Sequence, residues 1–189
     1  MNGVTNDVVS AIYGRRAVRA FTAEPVSRDD VDRLIQAAIQ APSSMDLQPW
    51  AFIVVEGVAK LRGYSERAKP HFAAPPNANA EHLRSTLDDP SVNIFHDAPL
   101  LIVLCATDVH AQSVEDCSLA AQNLMLAAHA FGLATCPIGF SRPWLRLPDT
   151  KAELGIAPHH VPAFPLVVGH AAEVPRGPGR KAPVVVRVR

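Results

Sequence analysis

Cysteine is scarce in these 189 residues, and the three present, Cys105, Cys117 and Cys136, lie too far apart for a CxxC pair. That spacing gives neither a disulfide framework nor a redox or zinc pair. Cys105 stands in an apolar run and Cys117 in a helical pattern, where small buried core residues are expected. An excess of charge is also missing: eighteen basic residues balance eighteen acidic ones. Such a chain offers no electrostatic reason to bind nucleic acid or an anionic membrane. The longest apolar run, Ala98 to Ala106, is too short to span a bilayer, and no charged-then-apolar signal segment opens the sequence. The expectation is a soluble, cytoplasmic protein. GxGxxG, the phosphate-cradling P-loop, GxSxG and HExxH are all absent, and the eight histidines are scattered. The usual dinucleotide, NTPase, hydrolase and zinc-protease readings therefore have no motif to rest on, and no metal is expected.

What is present reads as one domain over residues 1–189, with no repeat and no second composition boundary. Val8, Val9, Ile12 and Tyr13 recur at helical spacing behind Thr5 and Asn6 as caps, with Gly14 as a stop. Ser27 and Asp30 predict the capped start of a helix with an apolar face at Val31, Leu34, Ile35, Ala38 and Ile39, ended by Pro42. Ala51 to Val55 and Leu100 to Ala106 read as buried strands, and Ala163 to Val168 as a third. Val58 to Ala68 is weakly helical, Glu81 to Leu87 adds a turn or two, and Asp149 caps a brief helix. Val184 to Val188 reads as a terminal strand. About residues 69–80, Pro70, Pro75, Pro76 and several alanines predict a mobile excursion. From Ser113 to Phe131 runs a helix apolar almost all round, which belongs at the centre of the fold or in a subunit interface.

Three stretches carry chemistry. Arg15 to Phe21, reading R-R-A-V-R-A-F, is expected to be extended, so that Arg15, Ala17 and Arg19 share one side. Guanidiniums so placed suit a phosphate, and equally form a solvated patch. Ala41 to Trp50, A-P-S-S-M-D-L-Q-P-W, is a proline-bracketed loop that offers hydrogen bonds, either a connector or a ligand-facing loop. Leu133 to Phe140 is strand-like until it breaks at Pro137 and Gly139.

The order and wording of these stretches resemble the nitroreductase family of FMN-dependent oxidoreductases. The resemblance runs through R-R-A-V-R-A-F, A-P-S-S-M-D-L-Q-P-W-A-F-I-V-V, D-A-P-L-L-I-V-L, the alanine-rich helix, G-L-A-T-C-P-I-G and P-L-V-V-G-H-A-A-E-V-P. It implies an α+β fold, with a mixed, mainly antiparallel sheet flanked by helices, in an intertwined homodimer with FMN at the interface. The terminal strand would cross to the partner. Arg15, Arg16, Ala17 and Arg19 match the family's basic run at the FMN phosphate and ring. Pro42, Ser43, Ser44, Asp46 and Gln48 match the loop that reaches the flavin of the other subunit. Pro137, Ile138 and Gly139 would lie along the ring near N5, and Arg180 with Lys181 would hold the phosphate. NAD(P)H would be the co-substrate and an electron-poor small molecule, such as a nitroaromatic or quinone, the acceptor. Dehalogenation, dehydrogenation and flavin breakdown on the same scaffold are the alternatives, as is an FMN-binding protein without turnover. Three departures stand out: Asp46 where the family usually has Asn, Ala17 where Ser is common, and the segment before the P-I-G-F turn with the Pro/Ala excursion, which differ from the better-known nitroaromatic reducers.

Overall fold

A computed structural model describes residues 7–72, 80–177 and 179–188. Thr5, Asn6 and most of the Pro/Ala excursion lie outside the described residues. The element order is α1 (Asp7–Gly14), α2 (Arg28–Ala38), β1 (Trp50–Glu56), α3 (Val58–Ala68), α4 (Ala80–Asp88), β2 (Leu100–Ala106), α5 (Ala111–Ala130), β3 (Ala134–Pro137), α6 (Arg142–Leu145), α7 (Pro148–Glu153) and β4 (Val161–Gly169).

The strands form one sheet in the order β1-β2-β4-β3, every neighbouring pair antiparallel. The only parallel element among the described residues is an isolated bridge between Ala17 and Thr135, so the expected mixed sheet is antiparallel in its strands. β2 and β4 sit inside it, and this explains their apolar runs: alternate β2 side chains enter opposite layers. Leu101, Val103 and Cys105 join one core with Phe95, Ile138 and Trp144. Leu100, Ile102 and Leu104 join the other with Leu34, Ala120, Leu124 and Ala128. α2 and α5 thus cover one face, while α3 and α6 cover the other. Pro162 sits in an interior strand at the register shift between Leu104 and Cys105, where a bulge relieves the ladder of its missing donor.

Local signals explain several boundaries. Ser27 Oγ accepts the Asp30 amide at 3.0 Å, a cap worth about 1 kcal/mol. α5 buries Cys117, Ala120, Ala121, Leu124 and Ala128 and leaves Leu119 exposed. Phe131, just past its end, is covered by the Arg33 guanidinium 3.8 Å from the ring centroid, a cation–π contact. Three expectations need correction. β1 is an edge strand and mostly half-buried, with only Val55 fully inside. α7 is opened by Leu147 as cap with Pro148 in its first turn, and Asp149 lies inside the helix; the fixed φ of proline suits that position. Val184 to Val188 forms no strand in the single chain, and Val184, Val186 and Val188 are almost wholly exposed.

Candidate functional site

The run Arg15 to Phe21 is extended because it is laid along β3 and the end of β4. Val18 N donates to Thr135 O at 3.1 Å, Thr22 N to His170 O at 2.9 Å and Ala172 N to Ala20 O at 2.9 Å. Alternation follows: Ala17 and Phe21 pack on the core that contains Cys136 and Ile138, whereas Val18 is buried and borders a separate cavity of about 210 Å³. Burial holds the Arg15 guanidinium below its ordinary pKa, and the nearby Arg180 and Arg16 push the same way. A residue 165 positions away in sequence (180 − 15) therefore shares the neighbourhood of Arg15. Arg16 differs from its neighbours in commitment: its Nη1 donates to Tyr13 O at 2.6 Å and to Arg15 O at 2.9 Å. Gly177 packs so closely on it that an added Cβ would stand 2.5 Å from Arg16 Nε. Lys181 is exposed beside Arg180.

Among the described residues, none of Arg15, Arg16, Arg19, Arg180 and Lys181 has a carboxylate within ion-pair distance. Cations gathered without a counter-ion fit a phosphate dianion, since each guanidinium presents a planar fork of donors. The structure thus has room and charge for a phosphate-bearing cofactor at this corner.

Beside the arginines, β3 ends in the turn Pro137–Gly139. Ile138 N donates to Pro165 O at 2.9 Å, and Ser141 Oγ donates back to Ile138 O at 2.9 Å. Ile138 is thereby anchored inward, while Gly139 is exposed with open space where a Cβ would be. The turn forms one wall of a cleft of about 460 Å³ that also takes in Arg19, His96 and Cys136. Phe72, Leu83, Ile94 and Phe140 complete the lining, with Phe72 edge-on to Phe140 at 4.6 Å. Burial lowers the His96 pKa, Arg19 adds to that, and Asp97 opposes it. Burial raises the Cys136 thiol pKa against the pull of Arg19 and Arg15. A flat-walled, mostly apolar cleft with a few polar groups is what a planar ring requires.

The proline-bracketed loop is built differently. Met45, Asp46 and Gln48 all take left-handed φ, at 52°, 54° and 49°, a conformation that costs roughly 1–3 kcal/mol at each non-glycine position in the more strained cases. Local bonds hold it: Gln48 N donates to Ser43 Oγ at 2.9 Å and Gln48 Nε2 to Asp46 Oδ1 at 3.0 Å. A distant one fixes it to the fold, since Ser44 N donates to both carboxylate oxygens of Asp116, at 3.3 and 3.2 Å. Met45 and Leu47 are left exposed at its tip.

One chain does not bring the loop to the arginines. Asp116 anchors the loop near the start of α5, whereas His129, near its end, packs on Gly14 just before the basic run. Thirteen residues (129 − 116) separate them on one helix, about 20 Å at 1.5 Å per residue. Arg15, Arg19, Arg180 and the Pro137–Gly139 turn thus form one cluster, and Pro42 to Gln48 another. Sequence reasoning did not find Asp116 or His96. Asp116 is a buried acid on an apolar helix, beside an exposed Glu115 of the same type, so the pattern alone does not separate them.

A family model described as the nitroreductase family matches residues 12–170. An FMN reductase of Bacillus subtilis, named for NAD(P)H, is 30% identical over 176 residues, spanning 89% of this chain and 67% of that protein. A 4-nitrobenzoate reductase of Pseudomonas putida is 30% identical over 171 residues, 74% of this chain and 75% of that one. Among solved structures, a nitroreductase with bound FMN from Bacteroides fragilis superposes with a TM-score of 0.84 at 27% identity, covering 98% of this chain and 100% of that chain.

Proposed function

The chain belongs to the nitroreductase family, and from that membership we propose that it binds FMN and passes hydride from NAD(P)H to a small electron-poor acceptor such as a nitroaromatic or quinone. The observation that carries this reading is the cluster of arginines without carboxylate partners, set against the cleft at Pro137–Gly139. FMN, when bound, supplies the chemistry that accepts and returns the hydride. The chain's own residues do the rest. Arg15 and Arg180, with Arg16 and Lys181 beside them, hold the phosphate. Arg19, on the cleft wall, would offer positive charge to the bound ring, an interaction strengthened wherever water is excluded. Ile138 and Gly139 give the ring a surface that no side chain obstructs. Pro42, Ser43, Ser44, Asp46 and Gln48 act from a second copy, since their anchor Asp116 lies about 20 Å along α5 from His129, which packs on Gly14 beside the basic run.

A homodimer follows from the same reading. α1 and α5 share an apolar groove of about 410 Å³ lined by Val8, Ala11, Leu126 and Ala127, and Ile12, Tyr13 and Leu119 are exposed around it. A second copy would cover this face and give the valines of 184–188 an edge to pair with.

The test is spectroscopic. The purified protein is expected to be yellow, or to become so on FMN reconstitution, and to bleach with NADH or NADPH. Arg19→Ala is expected to slow that bleaching by about 10- to 100-fold, the rate equivalent of one lost charge-assisted contact, with little loss of stability. A colourless protein that takes up no FMN overturns the proposal.

A further inference from the structure

His96 is held in an uncommon way. It and Asp97 both adopt left-handed φ, at 56° each, a pairing that non-glycine residues seldom adopt without outside support. The support is visible. Asn93 Nδ2 donates to Asp97 Oδ1 at 2.8 Å, Arg62 Nε to the same oxygen at 2.6 Å, and Phe95 N to Asn93 Oδ1 at 2.9 Å. His96 N closes the turn on Asn93 O at 2.9 Å. Every one of these bonds serves the backbone or Asp97. The imidazole itself has no hydrogen-bond partner among the described residues, yet it lines the cleft with Arg19, Cys136 and the Ile138–Gly139 turn. A strained turn that is braced on all sides and delivers an unpartnered polar side chain into a cleft has the form of a functional site.

We propose that His96 selects the electron acceptor, its imidazole N–H donating a hydrogen bond to an oxygen of a planar aromatic carbonyl or nitro compound. The inference rests on the reading of the cleft as a flavin site and deepens it by naming what recognises the acceptor. The surroundings fit that ligand class. Phe72, Leu83, Ile94 and Phe140 supply apolar walls; with Arg19 assigned to the ring and the Cys136 thiol turned to Pro137 O, His96 is the polar side chain of the lining left to meet an acceptor. The groups facing His96 are Arg19, Asp97 and Cys136. Asp97 is occupied by Arg62 and Asn93. Burial and Arg19 lower the imidazole pKa against the pull of Asp97, favouring the neutral ring, in which one nitrogen is a donor and the other an acceptor. A neutral N–H polarises an oxygen without burying a second cation beside Arg19.

The test uses the FMN-loaded protein and two variants. His96→Gly removes the imidazole and suits the left-handed backbone, so it tests the side chain without straining the turn. His96→Gln restores an N–H donor. With menadione, kcat/KM is expected to fall about tenfold or more in His96→Gly and to recover to within roughly threefold in His96→Gln, as loss and rescue of one hydrogen bond dictate. Ferricyanide, which takes electrons without such a bond, is expected to be reduced at an unchanged rate. Benzamide, a planar carbonyl compound that the enzyme cannot reduce, gives a readout without turnover. Its dissociation constant, read from the oxidised flavin spectrum, is expected to rise in His96→Gly and return in His96→Gln. Unchanged menadione kinetics and benzamide affinity in His96→Gly overturn the inference, as does an equal loss with ferricyanide. A wild-type protein that binds FMN and is bleached by NAD(P)H in the same experiment leaves the flavin reading standing. One that does neither removes that reading first.

Discussion

Asp116→Ala perturbs the loop Ser43–Gln48 from a residue that is not part of it. The Asp116 carboxylate is buried at 6% exposure and accepts the Ser44 amide on both oxygens, at 3.3 and 3.2 Å. Hydrogen bonds to a charged group contribute roughly 1.5–3 kcal/mol. This one is longer than the roughly 2.7–2.9 Å of a strong charge-assisted bond, so the lower end applies, and stranding a half-buried Ser44 amide adds to it. The expected loss is about 2 kcal/mol, or about 4–8 °C in Tm for a chain of this size. The loop has a particular need for the anchor, because Met45, Asp46 and Gln48 carry left-handed strain that the remaining local bonds must otherwise oppose alone. Urea unfolding followed by circular dichroism measures the loss. Amide exchange in the native state locates it, with the Ser44 and Leu47 amides expected to lose protection before those of β2. Asp116→Asn keeps an acceptor oxygen and is expected to lose about half as much. An Asp116→Ala protein with an unchanged urea midpoint and unchanged exchange at Ser44 would refute this account of the loop.

Gly169→Ala is expected to destabilise by about 1–3 kcal/mol as overpacking, because the new Cβ would stand 2.7 Å from Pro99 Cδ and 3.0 Å from Phe21 Cδ1; a urea midpoint equal to wild type would contradict it. Burial pushes the thiols of Cys105 and Cys117 up to about 12. With folded pKa values raised above the ordinary 9.0, both contribute stability in full below about pH 9, and it is lost as pH rises towards 12. At pH 8 only about one thiol in ten thousand is ionised at such a site. Iodoacetamide is therefore expected to leave both unmodified in the native protein and to label both in urea, as read by intact mass; rapid native labelling would show that the core opens.

Much of the fold was legible because its signals are local. β2 is bounded by its sequence at Leu100–Ala106 because an interior strand must be apolar on both faces, and the start of α2 because Ser27 and Asp30 are its cap, whereas α2 ends at Ala38, ahead of Pro42. The run Ala51 to Val55 reads as a strand but not as an edge strand, since both its faces carry apolar side chains: Ala51, Ile53 and Val55 pack on one core and Trp50 and Phe52 on the other, with only Val55 fully buried. The basic run was legible as chemistry through the density of arginine. Its orientation required only the period of two, which puts Ala17 on the Cys136 side and Val18 opposite. His96 and Asp116 are not legible, because each matters through residues more than 20 positions away, the Ile138 turn across the cleft from His96 and Ser44 bonded to Asp116. Neither a cap, a period nor a motif encodes such a meeting.

Asp46 changes meaning once its backbone is known. From the sequence it is a lost amide donor, a negative charge where a neutral side chain is common in the family. In the fold its Oδ1 accepts Gln48 Nε2 at 3.0 Å, and its φ of 54° is one that aspartate and asparagine adopt more readily than most residues. Both duties, the local bond and the left-handed turn, can be met equally by the amide oxygen and backbone of asparagine. The charge is therefore not what shapes the loop. It lies exposed at the tip, between Met45 and Leu47, which are exposed as well. Among the described residues that carboxylate has no ion-pair partner and meets only the Gln48 amide. In the proposed dimer its effect falls on whatever the loop covers in the second copy, in addition to the local bond to Gln48.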